Sequence, residues 1–200
     1  MKKLAILLVL MLSISGLNAQ FASYDRNDIM VTYGFFSPDQ FMNVESTMLD
    51  EQFEDKRYVR DNFSSMGNIF LSYRHINRAE TLFLGFSIGY SKNKSEIYYV
   101  GQFAGDLERT FYTLAFEANY RYVNKGLIQV YSGAGIGVTY GQETLSSTAF
   151  HPQESSGNLM RLAYQFNVVG VRIGKRIAGI AEFGYGYKGI VNLGLSVQLY

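Results

Sequence analysis

Few residues in the sequence could carry out catalysis or bind a metal ion. The chain of 200 residues has two histidines and no cysteine, which excludes thiolate metal sites, disulfides, thiol nucleophiles and an acylated N-terminal cysteine. His75 is expected beside a short turn, and His151 in a long loop at the opposite end of the fold. This separation argues against a shared metal ion or a Ser–His–Asp relay. We therefore predict no catalytic residue, no metal ion and no cofactor.

One phosphate-binding pattern is present in form only. Residues 184–189 read GYGYKG, which matches GxGxxG. A strand is expected after this stretch, so no helix N-terminus would receive a pyrophosphate. We interpret these glycines as hairpin residues.

Charge and composition exclude further classes of protein. Lysine and arginine total 18 and aspartate and glutamate total 17, a formal net charge of +1, which offers no basic field for a nucleic acid. The chain also has 16 tyrosines, 15 phenylalanines, 20 glycines and two prolines. This composition favours a β-rich fold over a helical bundle.

The N-terminal segment has the features of a secretory signal peptide. Two lysines, Lys2 and Lys3, precede an apolar run from Leu4 to Leu12, and a short, mostly small stretch ends at Ala19. An uncleaved anchor is the weaker alternative, because the run is about half the length of a membrane-spanning helix. We predict a cleaved signal peptide over 1–19, a short periplasmic segment over 20–27 and one domain over 28–200.

Period-two alternation in the remaining chain predicts eight β-strands. In an up-and-down meander every second connection lies at the same end, so one end would carry short turns. The other end would carry the long loops 37–64, 92–108 and 141–159 and a short link near residue 188. A change of apolar parity at Val168 and Val169 predicts a β-bulge. The predicted strands are 28–36, 65–75, 81–91, 109–123, 127–140, 160–173, 178–187 and 190–200.

Side-chain volume decides which face of these strands is outside. The apolar parity totals about forty residues, many of them Phe, Tyr and Leu, and an eight-stranded barrel has no room for them inside. The opposite parity is mostly Gly, Ser, Ala, Thr and Asn, which suits a narrow lumen. We therefore predict an all-β, eight-stranded antiparallel up-and-down transmembrane β-barrel with its apolar face in the bilayer.

The tyrosines of the apolar face predict two interfacial girdles. With a rise of about 3.4 Å per residue and a tilt of about 40°, Tyr112 and Tyr122 of one strand are about 26 Å apart along the barrel axis, which matches a hydrophobic band of roughly 25 Å. The loop-end girdle is predicted from Tyr33, Tyr90, Tyr112, Tyr140, Tyr164, Tyr185 and Tyr187, and the turn-end girdle from Tyr73, Tyr120 and Tyr122.

Charged residues on the opposite parity are predicted to form a polar network in the lumen. Charges removed from water must pair or stay hydrated, so Glu117 and Glu182 are each expected to meet an arginine. This network is interpreted as a plug, and the alternative is a gate that passes water or small ions. The predicted network is Arg74, Glu117, Arg121, Arg161, Arg172 and Glu182.

The first long loop carries a helix start signal. Ser37, Pro38 and Gln40 suit an N-cap, the first helical position and a capping-box partner. A helix of three or four turns is expected to follow, with its apolar side formed by Phe41, Val44, Met48 and Phe53. We interpret it as a lid packed on the barrel rim, and the alternative is a surface that binds another protein or lipopolysaccharide.

Together, the signal peptide, the eight strands with one-sided long loops, and the final strand VNLGLSVQLY resemble the small outer-membrane barrels typified by OmpX and the OmpA transmembrane domain. The resemblance implies an outer-membrane location in a Gram-negative cell and a terminal strand that is recognised by the barrel-assembly machinery. Tyr200 departs from this pattern, because it lies one place out of phase with the lipid-facing residues. The implied assembly signal is Val191, Leu193, Leu195, Val197, Leu199 and Tyr200.

The expected function is a structural, adhesive or surface-interaction role through the three long loops. The expected partners are outer-membrane lipid, lipopolysaccharide, the assembly machinery and an extracellular protein or surface ligand. One alternative is a narrow pore or a carrier for small ions or small apolar molecules, as in OmpW-like barrels, lined by Phe70, Phe83, Tyr131 and Ile180. A third is a lipid-modifying enzyme that uses His75 or His151.

Overall fold

The computed structural model describes residues 26–36, 39, 47–53, 57–147 and 155–199. Within them lie eight strands and one short helix, α1. Their bounds are β1 Arg26–Phe35, α1 Thr47–Gln52, β2 Tyr58–Ile76, β3 Leu82–Tyr99, β4 Gln102–Lys125, β5 Ile128–Ser147, β6 Ser155–Gly174, β7 Ile177–Gly186 and β8 Val191–Leu199.

The eight strands form one closed barrel in sequence order. Each strand pairs antiparallel with its neighbours in the chain, and β1 closes the ring by pairing with β8, as between Tyr33 and Leu193. Closure gives the strands partners on both sides and removes the free sheet edges. The predicted fold class, an all-β, eight-stranded, antiparallel up-and-down barrel, is therefore confirmed. Among the described residues, no helix is long and apolar enough to cross a bilayer.

The wall of the barrel has two heights. Strands β1, β7 and β8 have 9 or 10 residues, whereas β2 to β6 have 18 to 24. The extra length of β2 to β6 lies at the loop end. The predicted bounds were wrong here, because much of 57–64, nearly all of 92–108 and all of 141–147 are strand.

The extra length of these strands was not predicted from the sequence because their outward residues at the loop end are polar. Beyond Tyr90, the exposed side of β3 carries Lys92, Lys94 and Glu96, while Asn93 and Ser95 are buried. The period of two continues in burial, but the contrast between apolar and polar residues has disappeared.

Burial along the strands is inverted relative to a water-soluble protein. In β7, exposed and buried residues alternate without a break from Ile177 to Gly186. Large apolar side chains lie outside, such as Phe86 and Ile88, which are 48% and 54% exposed, while Glu117 and Arg172 inside are 3% and 1% exposed. Globular proteins in water rarely bury charges while exposing so many large apolar residues.

The β-bulge predicted at Val168 and Val169 is present. The pairing of β6 with β7 shifts register between Asn167 and Val169, and the carbonyl of Val168 accepts a hydrogen bond from Ser132 Oγ at 2.6 Å. Further register shifts between Arg121 and Val123 and within the extended part of β2 have no signal in the apolar pattern.

Candidate functional site

The centre of the lumen is occupied by an ion pair that involves the turn between β7 and β8. Lys188 Nζ lies 2.7 Å from Glu117 Oε1 and 2.8 Å from Oε2. Glu117 also accepts hydrogen bonds from Ser87 Oγ at 2.7 Å and from the Tyr187 hydroxyl at 2.8 Å. The side chains of Lys188 and Glu117 are 0% and 3% exposed, so the pair is enclosed by the barrel wall.

Two predictions are corrected at this point. Glu117 meets a lysine rather than the expected arginine. Tyr187, predicted for the lipid-facing girdle, points into the lumen, where its ring packs on Phe70 with ring centroids 5.4 Å apart. The reason is local, because β7 ends at Gly186, and beyond it the turn no longer keeps the strand's alternation of faces.

Gly34 of β1 allows this turn to fold inward. An ideal Cβ at Gly34 would lie 1.8 Å from the carbonyl oxygen of Lys188, so no larger residue fits unless the turn moves. The turn is further held by its backbone, since the N–H of Lys188 donates to Gln165 Oε1 at 2.9 Å. Gly189 has φ +96°, a conformation that glycine tolerates best. We call residues 187–189 the inserted turn.

Glu182 also lacks the hydrogen-bonded arginine that was expected. It accepts a hydrogen bond from the Tyr131 hydroxyl at 2.7 Å and lies 3.9 Å from Lys188 Nζ. Arg74 instead pairs with Asp28 at 2.5 Å. The guanidinium of Arg74 lies over the Tyr131 ring, 5.3 Å from its centroid, which is within cation–π range.

The other predicted lumen arginines lie near the two ends of the barrel. At the turn end, Arg121 donates to Gln129 Oε1 at 2.7 Å and to the Glu80 carbonyl at 2.5 Å. Arg172 donates to Ser196 Oγ at 2.8 Å and to backbone carbonyls of the β6–β7 turn. Arg161 lies at the loop end, 5.2 Å from the centroid of the Phe111 ring. Glu117, Glu182 and Arg74 are thus linked through Lys188 and Tyr131. Because Arg121, Arg172 and Arg161 lie apart from them, the six predicted residues do not form one network.

A buried ionic cluster at the loop end was not predicted. Asp39, 1% exposed, accepts hydrogen bonds from Arg60 at 3.1 Å and from Arg109 at 2.8 Å. Arg109 Nε in turn lies 2.8 Å from Glu143 Oε1. All of these residues except Arg109 fall within the predicted loops. One sequence feature does point to this cluster: Arg109 and Phe111 are two residues apart and both occupy inward-facing positions of β4.

Helix α1 covers the loop end of the lumen. Its Leu49, with Phe53 just beyond it, joins a buried apolar cluster with Ile97, Leu107 and Leu145 of the extended strands. The Tyr58 hydroxyl donates to Asp50 at 3.0 Å, and burial, followed by this hydrogen bond, raises the pKa of Tyr58 to about 12. Of the predicted lid helix, Phe41 and Val44 lie outside the described residues.

Apart from Tyr187, the tyrosines predicted for the girdles lie on the outer surface of the strands. At the loop end, Tyr90, Tyr112 and Tyr140 are lateral neighbours in β3, β4 and β5. The Tyr73 hydroxyl at the turn end donates to Asn27 Oδ1 at 2.8 Å. That these rows mark the bilayer interfaces stays a prediction. The other girdle tyrosines found on the outer surface are Tyr33, Tyr120, Tyr122, Tyr164 and Tyr185.

The remaining predicted site residues are located as follows. In β8, Leu193, Leu195 and Leu199 are exposed on the outer face, while Val191 and Val197 are partly exposed; Tyr200 and the signal peptide lie outside the described residues. His75 Nδ1 is 3.2 Å from Asn27 Oδ1, and His151 is also outside the described part. Within that part, no group of three or more His, Cys, Asp or Glu is arranged to hold a metal ion.

These features define a class of protein, namely a closed eight-stranded barrel with an ionic interior and an apolar outer wall. No protein-family model matches the chain, and no curated protein matches it. The solved structures similar to it include Ail, the attachment invasion locus protein of Yersinia pestis, in complex with the heparin analogue sucrose octasulfate. That match has 14% identity and a TM-score of 0.49, over 88% of this chain and 100% of Ail.

Two further crystal structures are similar to the chain. The N-terminal β-barrel domain of Pseudomonas aeruginosa OprF matches at 13% identity and a TM-score of 0.47, over 87% of this chain and 97% of that domain. Another structure of Ail from Yersinia pestis matches at 14% identity and a TM-score of 0.44, over 88% of this chain and 97% of Ail.

Proposed function

We propose that this protein is an integral outer-membrane β-barrel with a closed lumen, which acts through its loop-end surface by binding an extracellular protein or another surface ligand. The observation that carries the membrane assignment is the inverted distribution of polarity. Large apolar residues cover the outer wall, including Phe116 at 41% and Leu195 at 63% exposure, while charged residues are buried inside. Such a surface is unfavourable in water and favourable in hydrocarbon.

The proposal that the lumen is closed is supported by side chains that fill it at three heights along the barrel axis. Helix α1 and the ionic cluster around Asp39 cover the loop end, and the Glu117–Lys188 pair fills the centre. Near the turn end, Ile76, Phe83 and Tyr131 pack as an apolar cluster. Eight strands leave space for side chains but no open channel.

The extra length of strands β2 to β6 supports the proposal that the loop-end surface lies outside the bilayer and is available for binding. Their extended parts carry polar outward residues, such as Glu96, Thr144 and Asn158, which suit an aqueous surface rather than lipid. We infer that the binding residues lie within 37–64, 92–108 and 141–159. The proposal also includes a cleaved signal peptide and recognition of β8 by the barrel-assembly machinery.

The membrane assignment is tested by expressing the full chain and purifying the outer-membrane fraction. A folded barrel should change its gel mobility on heating, and lipid-borne spin labels should broaden signals from outward residues such as Phe116 but not from Phe70 in the lumen. A chain that is freely soluble without detergent and untouched by the lipid labels would contradict the proposal.

A narrow water or ion path is the second candidate. Several buried polar atoms in the lumen, including both amide atoms of Asn119 and of Asn192, have no hydrogen-bond partner among the described residues, and buried polar groups of this kind are often satisfied by water. The test is planar-bilayer recording of Glu117→Ala with Glu182→Ala against the wild-type protein. Discrete conductance steps that depend on these carboxylates would favour the path. If neither protein conducts, the path is excluded.

The carrier and enzyme alternatives have their own tests. Phe70, Phe83, Tyr131 and Ile180 are at most 4% exposed and fill the interior, so we expect no uptake of small apolar molecules through it. A lipid-modifying enzyme would lose its effect when His75 and His151 are replaced. We expect the lipid composition of the cells to stay the same after that replacement.

A further inference from the structure

The outer wall of the barrel contains an apolar groove of about 570 Å³ near the loop-end row of tyrosines. Most of its lining side chains point outward from β2 to β6, and its volume lies within the roughly 300–1,000 Å³ range of ligand sites. A concave site on the outside of a barrel faces whatever surrounds the wall rather than the lumen. Its lining includes Leu71, Ile88, Tyr112, Leu114, Val138 and Met160.

A pair of lysines lies directly beyond this groove on β3. Lys92 and Lys94 follow Tyr90 on the same outward face, about 5 and 10 Å further along the barrel axis at about 3.4 Å per residue and 40° of tilt. Both contact a single carboxylate, since Glu108 is 2.5 Å from Lys92 Nζ and 3.1 Å from Lys94 Nζ. The three groups carry a net charge of +1 and retain ammonium hydrogens that can bind an anion.

Apart from Glu108, the residues of β4 to β6 beside these lysines are polar but uncharged. Lys92 is followed laterally by Thr110, Gln142 and Asn158 on β4, β5 and β6. The next row out continues from Glu108 to Thr144 and Ser156. Hydroxyl and amide groups in this arrangement can hydrogen-bond a sugar.

The row beyond the lysines is acidic, which restricts the kind of anion that can bind. Asp61, Glu96 and Asp106 are lateral neighbours on β2, β3 and β4. A soluble polyanion approaching from the loop end would be repelled by these carboxylates. An anion attached to apolar chains would reach the lysines from the side of the groove instead.

We propose that this groove and the lysine pair form a binding site for a phosphorylated, multiply acylated glycolipid of the outer leaflet. The acyl chains occupy the groove, a phosphate contacts Lys92 and Lys94, and the sugar lies against Thr110 and Gln142. The inference rests on the proposed function, because it requires the outer wall to face a bilayer.

The test is native mass spectrometry of the full chain, folded in detergent and exposed to one lipid at a time. The probes are bisphosphorylated lipid A, monophosphorylated lipid A and phosphatidylcholine. We expect bisphosphorylated lipid A to be retained at least about tenfold more than phosphatidylcholine, because a charge-assisted contact is worth about a factor of ten or more. Removing one phosphate should reduce the retention of lipid A.

Two variants and two matched controls separate the parts of the site. Lys92→Ala with Lys94→Ala should lose the preference for the phosphorylated lipid, and Leu114→Trp, which fills the groove, should lower retention of every acylated probe. Lys125→Ala with Lys175→Ala removes two exposed lysines at the turn end, and Ala181→Trp adds a ring to the outer face of β7, outside the lining of the groove. Both controls should retain lipid A as the wild type does.

Equal retention of lipid A by the wild type and the double lysine variant would overturn the inference. Retention of phosphatidylcholine by the wild type to the same extent as lipid A would also overturn it. Release of lipid A by millimolar inorganic phosphate alone would also overturn it, since the site would then bind a simple anion. The comparison of the three lipids on the wild-type protein does not depend on the folding of any variant. If the protein shows heat-modifiable mobility and enters vesicles but lacks lipid preference, only this inference fails; if it does not enter vesicles, the proposed function fails as well.

Discussion

Replacing Lys188 by methionine tests whether the ion pair made by the inserted turn stabilises the barrel. The substitution keeps an unbranched side chain that is one atom shorter but removes the ammonium group from Glu117, whose own side chain is 3% exposed. Breaking a buried ion pair by removing one partner costs about 3–5 kcal/mol. Glu117 keeps the hydroxyl hydrogen bonds from Ser87 and Tyr187. We therefore expect the free energy of unfolding to fall by about 3 kcal/mol, near the lower end of that range.

The measurement is the free energy of unfolding in a urea series, with the folded fraction read from heat-modifiable gel mobility because the chain has no tryptophan. Adding Glu117→Gln to Lys188→Met removes the uncompensated charge and should recover at least half of the loss. Lys125→Met, at an exposed position, should change stability by no more than about 0.5 kcal/mol. A loss below about 1 kcal/mol for Lys188→Met, or no recovery in the double variant, would refute a buried ion pair in the lumen.

Three further predictions follow from the same structure. Gly34→Ala places a methyl group against the Lys188 carbonyl and should cost about 1–3 kcal/mol, whereas Gly179→Ala, with open space at its Cβ, should be close to neutral; equal urea midpoints would contradict this. Asp39→Asn removes the carboxylate shared by the buried side chains of Arg60 and Arg109; breaking these ion pairs should cost about 3 kcal/mol of unfolding free energy and speed protease cleavage around α1, and an unchanged urea midpoint would contradict this. Phe116→Arg should cost about 2–4 kcal/mol in bilayers and Thr144→Arg almost nothing; similar values for both would argue against lipid at Phe116.

The barrel itself could be predicted because its signal is local and repeated. Alternation between large apolar and small or polar residues persists over each strand, and closure in sequence order follows from short connections. The bulge at Val168 and Val169 was visible as a change of parity. The extended parts of β2 to β6 were not predicted, because outward residues such as Lys94 and Glu96 no longer contrast with the buried polar residues between them.

The sequence did not predict which ionic contacts form inside the barrel. Parity indicated that Glu117 and Glu182 face the lumen, but the number and height of the cations around them depend on how the strands are staggered. Lys188 lies in a turn, where alternation carries no information, and it reaches Glu117 only because Gly34 leaves space for the turn to fold inward. Asp39 is 21 and 70 residues from its partners Arg60 and Arg109, and nothing local indicates these pairs.

By itself, the amino-acid sequence determined the number of strands, their antiparallel order and the face presented by nearly every residue of the predicted strands, Tyr187 excepted, because side-chain direction in a strand follows from position alone. Only the tertiary structure decided which charges meet in the lumen, that the inserted turn supplies Lys188, and that Lys92 and Lys94 lie beside one apolar groove. The physical reason is that such contacts depend on stagger, closure and turn geometry, which bring together residues that no local pattern connects.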